Sequence, residues 1–440
     1  MVEITIDSAC TITGATADQI TQIKKALTLV NPQFTEALKM GRYTGKLDRY
    51  LHYFKETDAG LEVPRGFTGP AIDIIGPCKI VDHRRAMDPL QLEFAGELRP
   101  YQQAAVEDVS RFDFALLEAG TGSGKTIMAL ALIAERQRPT LVVVHSKELL
   151  YQWRDRIKQF LNVEPGLIGD SKFDVQQITI GIVNSVSIHL SDLKELFGFL
   201  VVDECHRCPA TMFKKVVGAF DCKYQLGLSA TPYRRDGLTP VINFFLGRTV
   251  HKVDKNHLNE IGAVLRPEIR QVETDFEYHY ADDYSKMLTA LVEDVPRNTQ
   301  IVNESLRHSD KGTVLIVSDR VEHCLMLAAR LHERGQEPAI LTGKTPKKIR
   351  LKIVDSVRAG KVKFLISTLS LISEGFDCSN LSTLVLTTPI SFKGRITQAV
   401  GRILRPSGPN KKPRVTDFAD NQVGVLRAGT KKRLKILKSR

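Results

Sequence analysis

The sequence has no uninterrupted apolar run that approaches the ~18 residues of a membrane-spanning helix. Its first residues, Met1–Asp7, contain neither a basic leader nor an apolar segment of signal-peptide length. The seven cysteines are an odd, scattered set, which favours reduced thiols over a disulfide framework. Cys205 and Cys208 form a C-x-x-C pair, but no second pair or histidine set follows at the spacing of a zinc site. These absences predict a cytoplasmic protein with no membrane contact, no disulfides and no structural zinc.

Positive and negative charges balance over residues 1–392, and the net charge lies at the C-terminal end of the sequence. Residues 393–440 contain fourteen Lys or Arg and two Asp, which account for the whole formal net charge of +12. A concentrated basic surface attracts phosphate backbones and gives salt-sensitive association. Charge runs are more often solvated faces, so this feature by itself leaves nucleic-acid binding open.

Residues 119–126, AGTGSGKT, lie between a short apolar strand at 114–118 and an unbroken apolar helical run at 127–134. This is the strand, loop and helix context of a phosphate-binding loop, with Ala119 in place of the usual first glycine. The glycines let backbone N–H groups point at phosphate oxygens, and the helix start adds partial positive charge. We expect Lys125 to reach the β- and γ-phosphates of ATP and Thr126 to ligate Mg²⁺. The residues predicted to bind ATP here are Gly120, Thr121, Gly122, Ser123, Gly124, Lys125 and Thr126.

Asp203-Glu-Cys-His206 begins 78 residues after Lys125 and directly follows the apolar run 197–202. The carboxyl edge of a parallel sheet is the side on which ligands bind in open α/β folds. We therefore expect Asp203 to hold the Mg²⁺ that Thr126 also contacts, and Glu204 to polarise the attacking water. An isolated Asp-Glu pair is usually a loop pair or a helix cap. Together with the loop at 119–126, it predicts an ATPase.

The hydrophobic pattern divides the chain into four regions. Residues 1–90 are predicted to form a small separate unit, with a capping box at Thr16, a short helix starting at Asn31-Pro32, and turns and a linker at 63–77. Residues 91–250 alternate strands with helices, 251–300 are mixed and polar, and 301–440 resume the alternation and end in a basic tail. The predicted strands are 114–118, 140–144, 178–183, 200–203, 224–229, 313–317, 362–366 and 383–387, with an amphipathic helix at 321–331.

Five further segments occur in order between residues 98 and 405. They are Leu98–Gln102, Val143–Trp153, Leu228–Pro232, Glu374–Asp377 and Gln398–Arg405. With the two motifs above, they make the sequence resemble the superfamily-2 helicases, which are nucleic-acid motors. The resemblance implies an α/β fold of two RecA-like parallel-sheet domains in tandem, here after a small N-terminal α+β domain.

The resemblance also implies a role for each segment. In the first domain, Arg99 and Gln102 would recognise adenine, and Lys147 and Gln152 would contact the nucleic-acid backbone. The residues that would couple hydrolysis to domain motion are His206, Ser229 and Thr231. In the second domain Gly375, Asp377 and Gln398 would complete the ATP site, and Arg402 and Arg405 would be the fingers on the γ-phosphate. ATP with Mg²⁺ would then bridge the two domains, so that closing and opening moves the chain along a strand.

The segment Pro232–Leu238, PYRRDGL, looks like that of the XPB-like and phage UvsW-type branch of DNA-remodelling enzymes. The branch commonly has Arg-Glu-Asp where this chain has Arg234-Arg235-Asp236, and both arginines are predicted to contact DNA. Residues 40–45 and 61–67 also resemble segments that precede the motor in phage DNA helicases. Between them cations alternate with aromatic residues, and Arg42 and Lys46 are predicted to bind DNA while rings stack on bases. The alternative is a strand with its rings inward and its charges outward.

These observations predict a monomeric, ATP- and Mg²⁺-dependent DNA helicase or translocase that remodels branched or forked duplexes in phage recombination and repair, in the host cytoplasm. The sequence identifies no protein partner. Three alternatives stay open: an RNA helicase, the motor subunit of a restriction system, and an ATP-gated clamp without motor activity. A restriction motor would need a nuclease, and no paired-acid and lysine module lies outside the mapped domains.

Overall fold

The computed structural model describes residues 1–120, 122–207, 210–230, 234, 236–254, 258, 265–281, 283–309, 312–373, 380–390, 393–404 and 412–438. Two compact units divide the chain near residue 253. Within the described residues, every helix is too short or too polar to cross a bilayer.

The N-terminal residues form a mixed sheet flanked by short helices. The strands are β1 (Glu3–Ile6), β2 (Cys10–Thr13), β3 (Thr28–Val30), β4 (Tyr50–His52), β5 (Lys55–Thr57), β6 (Gly60–Val63) and β7 (Lys79–Asp82). The main sheet has the order β5-β6-β2-β1-β7, and β3 pairs separately with β4. Helix Ala17–Ala26 starts at the predicted capping box, in which Gln19 N donates to Thr16 Oγ1 at 3.3 Å. Helix Pro32–Lys39 follows Asn31 and ends before Gly41, as predicted.

The prediction of turns and a linker at 63–77 was wrong. This segment contains a 3₁₀ turn at Arg65–Phe67 and an α-helix at Thr68–Ile75. Pro70 does not break the helix because it lies in the first turn, where backbone N–H groups have no intrahelical partner. Gly76, with φ of 79°, ends the helix in a conformation that favours glycine.

The turn at 65–67 packs the N-terminal sheet against the eight-stranded sheet of residues 114–252, here called the first motor sheet. Arg65 is 2% exposed and donates from Nη1 to the Cys222 carbonyl at 2.8 Å. The rings of Phe67 and Phe244 meet edge to face, with centroids 5.9 Å apart. A Cβ added at Gly66 would lie 2.5 Å from Gly247 N and 2.8 Å from the Phe244 carbonyl oxygen. The two sheets therefore share one apolar core.

We expect Gly66→Ala to lower the free energy of unfolding by about 1–3 kcal/mol, because backbone atoms cannot move aside for the new methyl group. Chemical denaturation followed by circular dichroism measures this change. Gly69→Ala is the matched control, since Gly69 is exposed in helix Thr68–Ile75 and a Cβ there meets nothing within 4 Å. Equal stability of the two variants would contradict the tight packing at Gly66.

The first motor sheet has the alternation of strands and crossover helices that the apolar pattern predicted. Its strands are β8 (Phe114–Glu118), β9 (Thr140–Val144), β10 (Gly166–Gly169), β11 (Lys172–Phe173), β12 (Ile178–Ile182), β13 (Phe199–Val202), β14 (Tyr224–Ser229) and β15 (Thr249–Lys252). Its helices are Pro100–Ser110, Lys125–Arg136, Lys147–Leu161, Val183–Ile188, Leu190–Leu193, Ala210–Val216 and Pro240–Leu246. The order is β11-β10-β12-β9-β13-β14-β8-β15, so the carboxyl ends of β9, β13, β14 and β8 lie side by side. The polar residues that follow these strands are thereby brought to one sheet edge.

The second unit contains a parallel sheet. Its described strands are β16 (Glu268–Glu273), β17 (Thr313–Ser318), β18 (Ala339–Leu341), β19 (Phe364–Thr368), β20 (Leu381–Leu386) and β21 (Arg414–Ala419), in the order β16-β21-β20-β17-β19-β18. Its described helices are Tyr284–Glu293, Val295–Leu306, Val321–His332, Lys347–Arg358, Leu369–Ser373, Lys393–Ile403 and Gly424–Lys438. The two sheets confirm the predicted α/β class with RecA-like domains. Strand ends differ from the predicted ones by two residues or fewer.

The C-terminal basic segment is partly a packed helix rather than a tail. Leu426 and Leu437 of helix Gly424–Lys438 are buried. Arg433 is 2% exposed and its Nε lies 2.8 Å from Asp417 Oδ1. A buried guanidinium needs such a partner, so part of the basic charge is internal. The cations on the solvent side of this helix are Arg427, Lys431, Lys432, Lys435 and Lys438.

Candidate active site

The loop after β8 has the conformation that its glycines predicted. Gly122 and Gly124 have φ of 90° and 84°, which L side chains rarely adopt. Helix Lys125–Arg136 begins directly after Gly124. The start of this helix presents backbone N–H groups without intrahelical partners, which is the usual setting for phosphate.

Gln102 lies against this loop. A Cβ added at Gly124 would be 2.3 Å from Gln102 Nε2, so the amide touches the glycine backbone. Gln102 is 7% exposed, and its Oε1 accepts from the backbone N–H of Arg99 at 2.9 Å. Helix Pro100–Ser110 thus brings the predicted adenine-reading residue beside the predicted phosphate loop.

Lys125 is held inside the site. It is 9% exposed, and Nζ donates to the Ala119 carbonyl at 3.0 Å. The same Nζ lies 3.7 Å from Glu204 Oε1. The structure therefore joins the two motifs that the sequence separates by 78 residues.

Asp203 follows β13 at the sheet edge and is 7% exposed. Its Oδ1 accepts from the backbone N–H of Glu204 at 2.8 Å, and its Oδ2 accepts from Trp153 Nε1 at 2.8 Å. The sequence did not predict the second contact. The available signal was the general need of a buried indole N–H for an acceptor.

The Asp203–Glu204 pair is electrostatically asymmetric. Burial, followed by the neighbouring Glu204 carboxylate, raises the pKa of Asp203. Burial would also raise the pKa of Glu204, but Lys125, His206 and Arg207 together lower it. Of the two carboxylates, Glu204 therefore holds its negative charge more firmly.

His206 connects Glu204 to the end of β14. Its Nδ1 lies 3.3 Å from Glu204 Oε2 and 2.9 Å from Ser229 Oγ. Burial, with a contribution from Arg207, lowers the pKa of His206 although Glu204 opposes the shift. Two of the predicted coupling residues therefore meet beside Glu204. Thr231, the third, lies outside the described residues.

Arg207 and His145 form a contact that the sequence did not predict. Arg207 Nη1 lies 3.0 Å from His145 Nε2, and His145 comes directly after β9. Burial, assisted by Arg207, lowers the pKa of His145 to about 4. The imidazole is therefore neutral near pH 7, and its Nε2 can accept from the guanidinium.

These residues fit a nucleotide with Mg²⁺. Each Asp203 oxygen accepts one hydrogen bond and retains a lone pair, which suits a hard cation such as Mg²⁺. Within the described part of the chain, Glu204 Oε2 is buried and makes no hydrogen bond, although His206 Nδ1 lies 3.3 Å away. An acceptor of this kind suits a water molecule at the sheet edge.

The predicted DNA contacts of the first motor sheet have mixed outcomes. Lys147 is largely exposed, and its Nζ lies 2.6 Å from Asp170 Oδ1. Gln152 is half-buried on the same helix. Arg234 is not placed as predicted, because it is 3% exposed and donates from Nε to Asp236 Oδ1 at 3.0 Å. Because its side chain is buried beside the exposed Asp236, Arg234 presents no face to a phosphate backbone. Arg235 lies outside the described residues.

The N-terminal basic and aromatic segment is divided between core and surface. Arg42, Lys46 and Tyr43 are exposed, Tyr43 by 83%. Tyr53 and Phe54 instead pack against the shared core, as the alternative of inward rings predicted. The exposed residues Arg42, Tyr43 and Lys46 still combine cations with an aromatic ring, as expected of a nucleic-acid contact.

The predicted site residues of the second unit are largely outside the described part of the chain. Gly375, Asp377 and Arg405 fall there. Gln398 and Arg402 belong to helix Lys393–Ile403, but the structure does not describe their side chains. Their proposed roles therefore rest on the sequence.

Two family models match the chain. Residues 95–234 match the model described as the res subunit of type III restriction enzymes, and residues 297–407 match the helicase conserved C-terminal domain. The first range contains the phosphate loop and the Asp203–His206 motif. The second contains the predicted arginine fingers.

Curated relatives are similar over most of the chain. A probable helicase, D10, of Escherichia phage T5 is 29% identical over 72% of this chain and 69% of its own. The DNA 3'-5' translocase XPB2 of Sulfurisphaera tokodaii is 26% identical over 70% and 79%. A putative ATP-dependent RNA helicase, L396, of Acanthamoeba polyphaga mimivirus is 29% identical over 78% and 68%.

A solved structure shares the fold. S. cerevisiae Dbp5, solved with RNA and ADP BeF3, aligns with a TM-score of 0.58 over 77% of this chain and 86% of its own, at 16% identity. This likeness concerns the fold alone.

Proposed function

Because the chain belongs to the superfamily-2 helicases of the XPB-like and phage UvsW type, we propose that it uses ATP hydrolysis to move along DNA and to remodel branched or forked duplexes. One observation carries this proposal: Lys125, Asp203, Glu204, His206 and Ser229 meet at one sheet edge. In this proposal they are a phosphate-loop lysine, a metal ligand, a base and two coupling residues. A clamp that only binds nucleotide has no need for the base.

The residues of the first motor sheet have complementary roles in this proposal. Lys125 and the loop N–H groups hold the phosphates, and Gln102 selects adenine beside the loop. Asp203 and Thr126 hold Mg²⁺, which when bound neutralises the charge of the transferred phosphoryl group. Glu204 orients the attacking water and accepts its proton.

From the sequence motifs alone, we further propose roles for residues 374–405. Gly375, Asp377 and Gln398 complete the nucleotide pocket, and Arg402 and Arg405 contact the γ-phosphate. An arginine in this role stabilises the charge of the transition state. A nucleotide bound by both sets of motifs would favour closure of the two domains, and its hydrolysis would weaken that closure.

DNA is the proposed substrate rather than RNA. The similarity to a named DNA translocase supports DNA, whereas the similarity to a putative RNA helicase supports the alternative. The segment at 232–238 favours the DNA-remodelling branch. The exposed Arg42, Tyr43 and Lys46 offer cations and a ring to a duplex fork.

The test is an unwinding panel of a four-way junction, a replication fork, a displacement loop, a plain duplex and an RNA duplex. We expect ATP-dependent strand displacement on the branched DNAs and little on the plain DNA or RNA duplex. Raising the salt concentration should weaken binding to all DNAs in parallel, because backbone contacts dominate. Preferential unwinding of RNA would favour the RNA helicase, and nucleotide-dependent binding without displacement would favour the clamp.

A further inference from the structure

The single tryptophan of the chain lies inside the nucleotide site of the first motor sheet. Trp153 belongs to helix Lys147–Leu161, is 1% exposed, and donates from Nε1 to Asp203 Oδ2 at 2.8 Å. The proposed function gives this residue no role. Its partner is the carboxylate proposed to hold Mg²⁺, rather than a backbone carbonyl of the core.

Two donors fix the orientation of this carboxylate. The backbone N–H of Glu204 bonds Oδ1, and the indole N–H bonds Oδ2. Because the donors engage different oxygens, rotation of the carboxylate would weaken both bonds. The backbone bond belongs to the adjacent residue, so the indole is the anchor that comes from another element of the fold.

We propose that Trp153 is a positioning residue for ATP hydrolysis, whose indole N–H holds the Asp203 carboxylate so that its remaining lone pairs face Mg²⁺. This inference rests on the proposed function. Partners that orient a metal ligand typically change metal affinity or activity by about 10–100-fold when they are removed. If the indole only filled space and gave its own N–H an acceptor, its replacement would change stability alone.

Because the chain has one tryptophan, replacing every tryptophan changes Trp153 alone. Global replacement of tryptophan by 3-benzothienylalanine, in the full-length chain, exchanges the N–H for sulfur and keeps the bicyclic shape. Trp153→Phe is the genetically encoded counterpart. Phe220→Leu is the control, because Phe220 is a fully buried aromatic residue of the same unit whose ring has no polar donor.

The measurement is the binding of a fluorescent ADP by anisotropy, titrated with Mg²⁺, together with the Mg²⁺ dependence of ATPase kcat and KM. Both Trp153 replacements should raise the Mg²⁺ concentration for half-maximal nucleotide binding by about 10–100-fold. ADP binding in EDTA should stay as in the unmodified protein. Phe220→Leu should lower the Tm without changing the Mg²⁺ dependence.

Unchanged Mg²⁺ dependence in the benzothienylalanine protein would overturn the inference, whatever its Tm, because the N–H would then serve packing only. That result would leave the proposed function intact. Absence of Mg²⁺-dependent nucleotide binding in the unmodified protein would instead overturn the proposed function and the inference with it. The two failures are therefore distinguishable.

Discussion

Glu204→Gln is expected to bind ATP and DNA but to lose ATP hydrolysis by about 10²–10⁴-fold, the range for removal of a general base. Glutamine has nearly the same shape, so the contacts at 3.7 Å to Lys125 and 3.3 Å to His206 can be occupied by an amide. The amide cannot accept the proton of the attacking water. Asp203 and its two donors are unchanged, so the metal ligand survives.

Steady-state ATPase measurements and nucleotide binding, made on the same preparation, check this prediction. Glu135→Gln is the matched control, because Glu135 is an exposed carboxylate on the helix that follows the phosphate loop. It should hydrolyse ATP at the unmodified rate. Normal hydrolysis by Glu204→Gln would contradict the assignment of the base, and a parallel loss of ATP binding would indicate a damaged site instead.

Arg405→Ala should lower DNA-stimulated ATP hydrolysis by about 10³-fold or more while nucleotide affinity changes little, since an arginine finger acts on transition-state charge. In the proposed site, ground-state binding is assigned to the loop at 119–126 and to Gln102, which the substitution does not touch. Arg405→Lys should recover little activity, because an ammonium group cannot reproduce the planar fork of donors. The comparison of kcat with nucleotide Kd measures the effect.

Arg358→Ala provides the control for Arg405, since Arg358 is 56% exposed at the end of helix Lys347–Arg358. Arg358→Ala should leave hydrolysis unchanged. The variant tests whether removal of any cation from this unit slows the enzyme. Equal losses of affinity and hydrolysis in Arg405→Ala would argue against a finger. Full activity in Arg405→Lys would point to a simple charge effect.

The phosphate loop and the carboxylate motif could be predicted because their signals are local. Glycines with positive φ, a strand before them and a helix after them are all encoded within 23 residues, from Phe114 to Arg136. The buried strands of both sheets could also be predicted, since parallel strands covered on both faces appear as continuous apolar runs in the sequence. Helix ends and strand ends shifted by one or two residues because hydrogen bonding to neighbours sets them.

The errors share a different cause. Residues 63–77 were expected to form turns because glycine and proline punctuate them, but Pro70 falls in a helical first turn and Gly66 at a tight contact with a distant backbone. Arg234 was expected on the DNA, but Asp236 holds it inside. In each case the side chain or turn has two possible environments, and composition does not distinguish them.

The sequence by itself determined the two α/β units and the residue types that can bind and hydrolyse ATP, because periodicity and short motifs act within one element and its loop. Only the tertiary structure decided how these residues contact one another. Trp153 reaches Asp203 across 50 residues, His206 reaches Ser229 across 23, and Arg207 reaches His145 across 62. Such pairs arise from strand order, which places the ends of β9, β13 and β14 together, and strand order depends on how whole elements bury their apolar faces.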